Sequence, residues 1–316
     1  MRRPRKLLFI RHFRRPTGGN LKVRDYFRHA LAHPGVDTSI WFAPGSRHGD
    51  SDVWHDLKPA RVAQSLDPGA HDLICVNGKD WSLLPEDTRG RDIIHFVQHP
   101  GYATDPVLRG YLARPARRLF TSDALHARLA PLCNGPMTVV PIGLDSAFAA
   151  GKDGGKSIKV TILAAKQPQF AAALSARLAS LGVETNLLDD RWRSRGEHIA
   201  TVRASEILVA LPNAVEGFYL PPLEGMAAGC VVICSDVVHN RGHCIHGETC
   251  LQPAFGELDS HVAAIVRALG DAPLRTRLIA GGEAMSRRHS IEQERLAFHA
   301  MLDAALADQE ARRLGH

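Results

Sequence analysis

A strand-length apolar run followed by a helix-length stretch recurs along this chain, and the rhythm breaks off once and starts again. Apolar runs at residues 6–13, 38–42, 72–76, 93–97, 119–121 and 138–141 end in polar or glycine-containing turns, with helical patterns at 21–33 and 123–132. A small, flexible, polar stretch follows at residues 149–156 (Ala-Ala-Gly-Lys-Asp-Gly-Gly-Lys). Strand-like runs then return at 160–164, 184–188, 206–211 and 231–235, with helical segments at 169–181 and 221–228, and a helical tail from about residue 258. Such alternation marks α/β domains built on parallel sheets. It predicts two similar α/β domains: residues 1–148, then a linker at 149–156, then residues 157–290, followed by the end of the helical tail. Two such domains face each other across a cleft, and ligands settle at the carboxyl ends of parallel strands.

Composition narrows the classes. With 316 residues, 45% of them hydrophobic, the chain can build its cores without disulfide or metal staples. Its apolar runs, such as residues 230–234, are strand-sized and far below the 18 or more needed to span a membrane. The basic start Arg2, Arg3, Arg5, Lys6 precedes only a four-residue apolar run, too short for a secretory signal. A cytoplasmic location with six reduced cysteines is therefore expected. Arg2, Arg3, Arg5, Lys6, Arg11, Arg14 and Arg15 crowd the first fifteen positions of a chain with formal charge +6, which suits an anionic partner. Aromatic residues are 6% of the chain and do not interleave with the basic ones, so no nucleic-acid partner is expected. An anionic membrane surface fits the cluster better.

The richest stretch is Glu216-Gly-Phe-Tyr-Leu-Pro-Pro-Leu-Glu224-Gly-Met-Ala-Ala-Gly229. Two glutamates flank a loop and a Pro-Pro pair that opens a helix, where proline's missing N–H is harmless. The positive end of such a helix suits a diphosphate. Glu224 could accept from ribose hydroxyls and Glu216 from sugar hydroxyls; as first-turn carboxylates both could also be surface groups. Cys230, Cys234, Cys244 and Cys250, near His239, His243 and His246, raise a zinc site, but the spacing lacks the short C-x2-C hooks. Buried thiols and no metal are expected.

Residues 216–229, together with Val231-Val232-Ile233-Cys234-Ser235-Asp236, Asn240-Arg241 and His246-Gly247-Glu248, resemble the donor-binding signature of retaining GT-B glycosyltransferases. Val140-Pro141-Ile142-Gly143-Leu144-Asp145 is similar to the motif that closes that family's first domain, and Thr17-Gly18-Gly19-Asn20 to its first glycine loop. The resemblance spans most of the chain, with its specificity in about forty residues. It implies the GT-B fold, two Rossmann-like domains with C-terminal helices of which residues 291–316 pack back on the first domain, and a nucleotide-diphosphate sugar as co-substrate with no cofactor. It makes Glu216, His99 and Lys166 the catalytic candidates. Donor binding would fall to Gly18, Gly19, Lys166, Glu216, Gly217, Phe218, Tyr219, Leu220 and Glu224, and Asp105 would lie on the acceptor side.

The sequence departs from the family at one point. Lys166 stands where the family has a diphosphate-binding arginine, but the lysine expected five residues later is Ala171. Arg191, Arg193 or Arg195 could supply that charge. The implied activity is metal-independent sugar transfer with retention, to a glycan or lipid-linked acceptor in bacterial surface polysaccharide synthesis, at the inner face of the membrane. A non-catalytic nucleotide-sugar binding or scaffold protein, and an epimerase or hydrolase on the same fold, are the alternatives.

Overall fold

The computed structural model describes residues 3–14, 17–47, 53–85, 88, 90–149, 155–189 and 194–315. Arg2, Arg15, Arg191, Arg193 and positions 150–154 of the expected linker lie outside them. The chain divides into two compact units: Met1–Ile142 with Glu292–His316, and Gly143–Ile291.

The first unit is built on six strands, β1 (Arg5–Arg11), β2 (Val36–Phe42), β3 (Leu73–Asn77), β4 (Asp92–Val97), β5 (Arg117–Phe120) and β6 (Met137–Val139), with helices α1 (Gly18–Leu31), α2 (Pro106–Ala113) and α3 (Asp123–Leu129). All pairings are parallel, in the order β2-β1-β3-β4-β5-β6. Parallel strands covered on both faces read as unbroken apolar runs, which is why 6–13 and 93–97 stand out. Alternate residues serve alternate faces: Leu7, Phe9, Cys75 and Phe96 enter one buried cluster, Leu8, Ile10, Ile74 and Val76 another.

The second unit has four parallel strands, β7 (Ile158–Leu163), β8 (Asn186–Leu188), β9 (Ser205–Ala210) and β10 (Val231–Cys234), in the order β10-β9-β7-β8. Its helices are α4 (Pro168–Ala179), α5 (Arg195–Ala204), α6 (Pro221–Ala227), α7 (Leu258–Gly270) and α8 (Ala272–Ser286). Gly225 lets α6 lie against the sheet: a Cβ there would come within 2.6 Å of Leu208 Cδ2 and 3.0 Å of Val232 Cγ2.

The last helix, α9 (Ile291–Arg313), completes the first unit's core with Phe298, Met301, Leu302 and Ala305. Tyr26 of α1 stacks on Phe298 with ring centroids 5.3 Å apart. Buried Glu294 takes Lys22 Nζ at 2.7 Å and His29 Nε2 at 3.0 Å. Among the described residues no helix is long and apolar enough to cross a membrane.

One local expectation needs correction. Helix α1 begins at Gly18, not residue 21, because Thr17 caps it: its hydroxyl accepts from Asn20 N–H at 3.3 Å and its carbonyl from Leu21 N–H at 2.9 Å. Gly18 and Gly19 are thus the first turn of a helix and not a loop. Two members of the N-terminal basic cluster are paired within the unit. Arg5 meets Glu310 at 3.4 Å and Asp72 at 3.7 Å, and mostly buried Arg11 is held by Asp80 and Asn20.

Candidate functional site

In each sheet the strand order reverses once, and open α/β sheets bind ligands at that reversal. In the second unit it falls between neighbours β7 and β9. Lys166 leaves the carboxyl end of β7 and Glu216 follows that of β9, so residues fifty positions apart meet: Lys166 Nζ is ion-paired and hydrogen-bonded to Glu216 Oε1. The same oxygen accepts the Asn213 backbone N–H at 2.8 Å. Glu216 is buried, whereas the Lys166 side chain is one-third exposed. The Lys166 ammonium also lies 4.5 Å from the ring centroid of buried Tyr219, which adds cation–π attraction. Burial raises the Tyr219 phenol well above its ordinary pKa, so it stays neutral.

Glu224, in the first turn of α6, is 4% exposed, and each of its carboxylate oxygens has a partner. Arg195 Nη2 lies 3.0 Å from Oε1, and His198 Nε2 3.2 Å from Oε2. Burial alone would push this carboxyl up; the Arg195 guanidinium and the His198 ring outweigh it and hold the pKa at about 2. Glu224 is therefore an anion at any physiological pH.

Both partners come from α5, whose start is fixed by a capping box: Glu197 N–H donates to Ser194 Oγ at 3.3 Å, and Ser194 N–H to Glu197 Oε2 at 2.7 Å. The box places Arg195 first in the helix and His198 three positions later, on one face. Both pack on buried Phe148, the guanidinium 4.8 Å over its ring and the imidazole edge-on at 6.1 Å. Phe148 is set by a turn that Asp145 caps, its carboxylate accepting from Ala147 N–H at 3.0 Å. The sequence offers Arg195 only as one of three candidate arginines and does not single out His198 or Phe148. The Ser194-x-x-Glu197 pattern was the available signal for the helix that carries the first two.

The loop between the glutamates packs on histidines. Phe218 stacks on His243 at 4.7 Å and lies 5.6 Å from His289. Burial, with the neighbouring His289, pushes the His243 pKa down to about 3. Leu220 is buried, while Gly217 and Phe218 are half-buried. The seven-residue α6 offers less to an anion than its sequence suggests. Pro221 and Pro222 have no N–H, and that of Glu224 already bonds Leu220 O at 3.1 Å. Ala171 is fully buried in α4 among Ala164, Leu174 and Val209, so its position faces the core. Cys230, Cys234, Cys244 and Cys250 are buried free thiols, and among the described residues no His, Cys, Asp or Glu group is arranged to hold a metal.

In the first unit the reversal lies between β1 and β3, beside the first turn of α1. A Cβ on Gly19 would sit 2.8 Å from Gln98 Oε1, the end of a flexible side chain just beyond β4. His99, exposed just beyond β4, accepts the Gly101 N–H on Nδ1 at 2.9 Å. That bond leaves the neutral ring with its proton on Nε2, a donor. Asp105 caps α2, accepting from Val107 N–H at 2.9 Å and Leu108 N–H at 3.2 Å, so its carboxylate already has a structural task. A cavity of about 560 Å³ at the opposite end of this sheet is lined by Trp81, Arg91, Arg114, Arg117 and Arg312, among others, and by none of the residues expected at the site.

No protein-family model matches the sequence, and no curated protein does. Solved structures do match. Sucrose-phosphate synthase of Thermosynechococcus elongatus is 14% identical over 96% of this chain and 100% of its own, with TM-score 0.68. Anabaena HepE in complex with UDP-glucose is 13% identical over 95% of this chain and 100% of its own, with TM-score 0.69. A glycosyltransferase of Rickettsia africae is 10% identical over 95% and 97%, with TM-score 0.59. At these identities the likeness establishes architecture: the chain has the GT-B fold of these glycosyltransferases.

Proposed function

We propose that the chain is a glycosyltransferase whose second unit holds a nucleotide-diphosphate sugar, with transfer to a glycan or lipid-linked acceptor. The observation that carries this reading is the pair of cation–carboxylate contacts at the β7/β9 reversal, Lys166 with Glu216 and Arg195 with Glu224, in a fold shared with a structure bound to UDP-glucose. In this reading Glu224 accepts from the ribose diol and Glu216 from the transferred sugar, while Lys166 faces the diphosphate. The bond from the anomeric carbon to the diphosphate oxygen breaks, and one to the acceptor oxygen forms on the same face. The acceptor proton passes to the departing diphosphate, whose charge Lys166 offsets.

A second reading, a nucleotide-sugar binding protein without turnover, is favoured by the burial of Ala171, which leaves that position without a cation. Thermal shifts with UDP-, GDP- and ADP-sugars, followed by mass spectrometry for glycosylated, hydrolysed or epimerised product, test both. A ligand of Kd well below its concentration raises the midpoint by mass action, and Glu224→Ala should abolish that shift. A shift without any product with or without acceptors supports the binding protein. No shift with any donor at millimolar concentration refutes both.

A further inference from the structure

We propose that Arg195 is the second cation for the donor's diphosphate, stored on Glu224 until a ribose displaces it. The assignment rests on the donor site proposed above and specifies how that site recognises its ligand.

A carboxylate that accepts from a vicinal diol offers an oxygen to each hydroxyl. Both oxygens of Glu224 are occupied, by Arg195 at 3.0 Å and His198 at 3.2 Å. Glu224 is 4% exposed, with the half-buried Arg195 and His198 side chains over its oxygens, so a diol reaches it only as one of them moves aside. Arg195 is the one with somewhere to go. Its side chain is long, 28% exposed, and rooted in the first position of α5. It rests face-on against Phe148, a contact that a guanidinium can keep while its fork rotates. The His198 imidazole is shorter, set deeper in the helix and edge-on to the same ring.

Displacement would leave the Arg195 guanidinium without its carboxylate. Lys166 is shared with Glu216, and position 171 is an alanine facing the core. A nucleoside alone breaks the Arg195–Glu224 pair and offers no anion in return. A nucleoside diphosphate supplies one, and Arg's planar fork accepts phosphate oxygens two at a time. The Arg195–Glu224 pair thus favours a ligand that carries a diol and a diphosphate together.

The test is calorimetric titration of the full chain with UDP, GDP and ADP and with the three matching nucleosides, in wild type, Arg195→Gln and Arg195→Lys. For the diphosphate that wild type binds, Arg195→Gln should weaken binding at least tenfold while leaving its nucleoside unchanged or tighter. Arg195→Lys should restore part of the diphosphate affinity. Equal weakening of diphosphate and nucleoside would overturn the assignment and make Arg195 a residue that merely positions Glu224. Unchanged diphosphate binding in Arg195→Gln, with wild-type melting, would overturn it as well. If wild type binds none of the three diphosphates, the donor-site reading itself fails and the assignment with it.

Discussion

Glu224 ties the acid stability of the second unit to a single ion-paired carboxyl. Its pKa falls from an ordinary 4.5 to about 2, so an unfolded chain takes up the proton first as pH drops. The stabilisation is complete above the unfolded value and is lost as pH falls toward the folded one. At 1.36 kcal/mol per unit the shift amounts to about 3 kcal/mol at neutral pH, of which about two fifths is gone near pH 3.5. Glu224→Gln keeps the shape and removes the titration. Every other acid-sensitive group is common to both proteins, so the stability gap between them should narrow by about 1 kcal/mol or more between pH 7 and pH 3.5. The assay is urea unfolding with a brief deuterium pulse, read on peptides covering α5 and α6, which reports this unit directly. A gap that stays constant over that range would refute the argument that Arg195 and His198 hold Glu224 ionised.

Two further outcomes follow from packing and burial. Gly225→Ala drives a methyl into Leu208 and Val232, and should cost about 1–3 kcal/mol as overpacking, seen as a lower midpoint in the same urea assay; an unchanged midpoint would mean that α6 can lift from the sheet freely. His243, held neutral by burial with a pKa near 3, favours the folded state above about pH 6.5 and loses that advantage as pH falls. His243→Gln should therefore be about 2 kcal/mol less sensitive than wild type to a change from pH 7.5 to pH 5.

Much of the architecture could be read from sequence because the strands are parallel and buried on both faces. Val231–Cys234 and Arg5–Arg11 carry the short apolar runs of strands covered on both faces. Helix α5 escaped because its sequence, Arg-Gly-Glu-His-Ile-Ala-Thr-Val-Arg-Ala, buries only Val202 and so shows no apolar face. The start of α1 was misplaced because two glycines suggest a loop, while the Thr17 cap outweighs their reluctance to enter a helix. Within the site, the meeting of Lys166 with Glu216 depends on β7 lying beside β9, a matter of strand order that spacing along the chain does not encode. Position 171 shows the converse limit. A register borrowed from a resemblance put a ligand group there, yet the helix turns that residue into the core.

The path of α9 sets an order of assembly during translation. Phe298, Met301, Leu302 and Ala305 close the cluster that also contains Phe9, Tyr26 and Phe96, yet the ribosome makes them after every residue of the second unit. The second unit is one continuous stretch and can condense as it emerges, whereas the first, though synthesised earlier, waits with an apolar face of α1 uncovered. The first unit's core is therefore complete only after the whole of the second unit has been made, although its strands are made first.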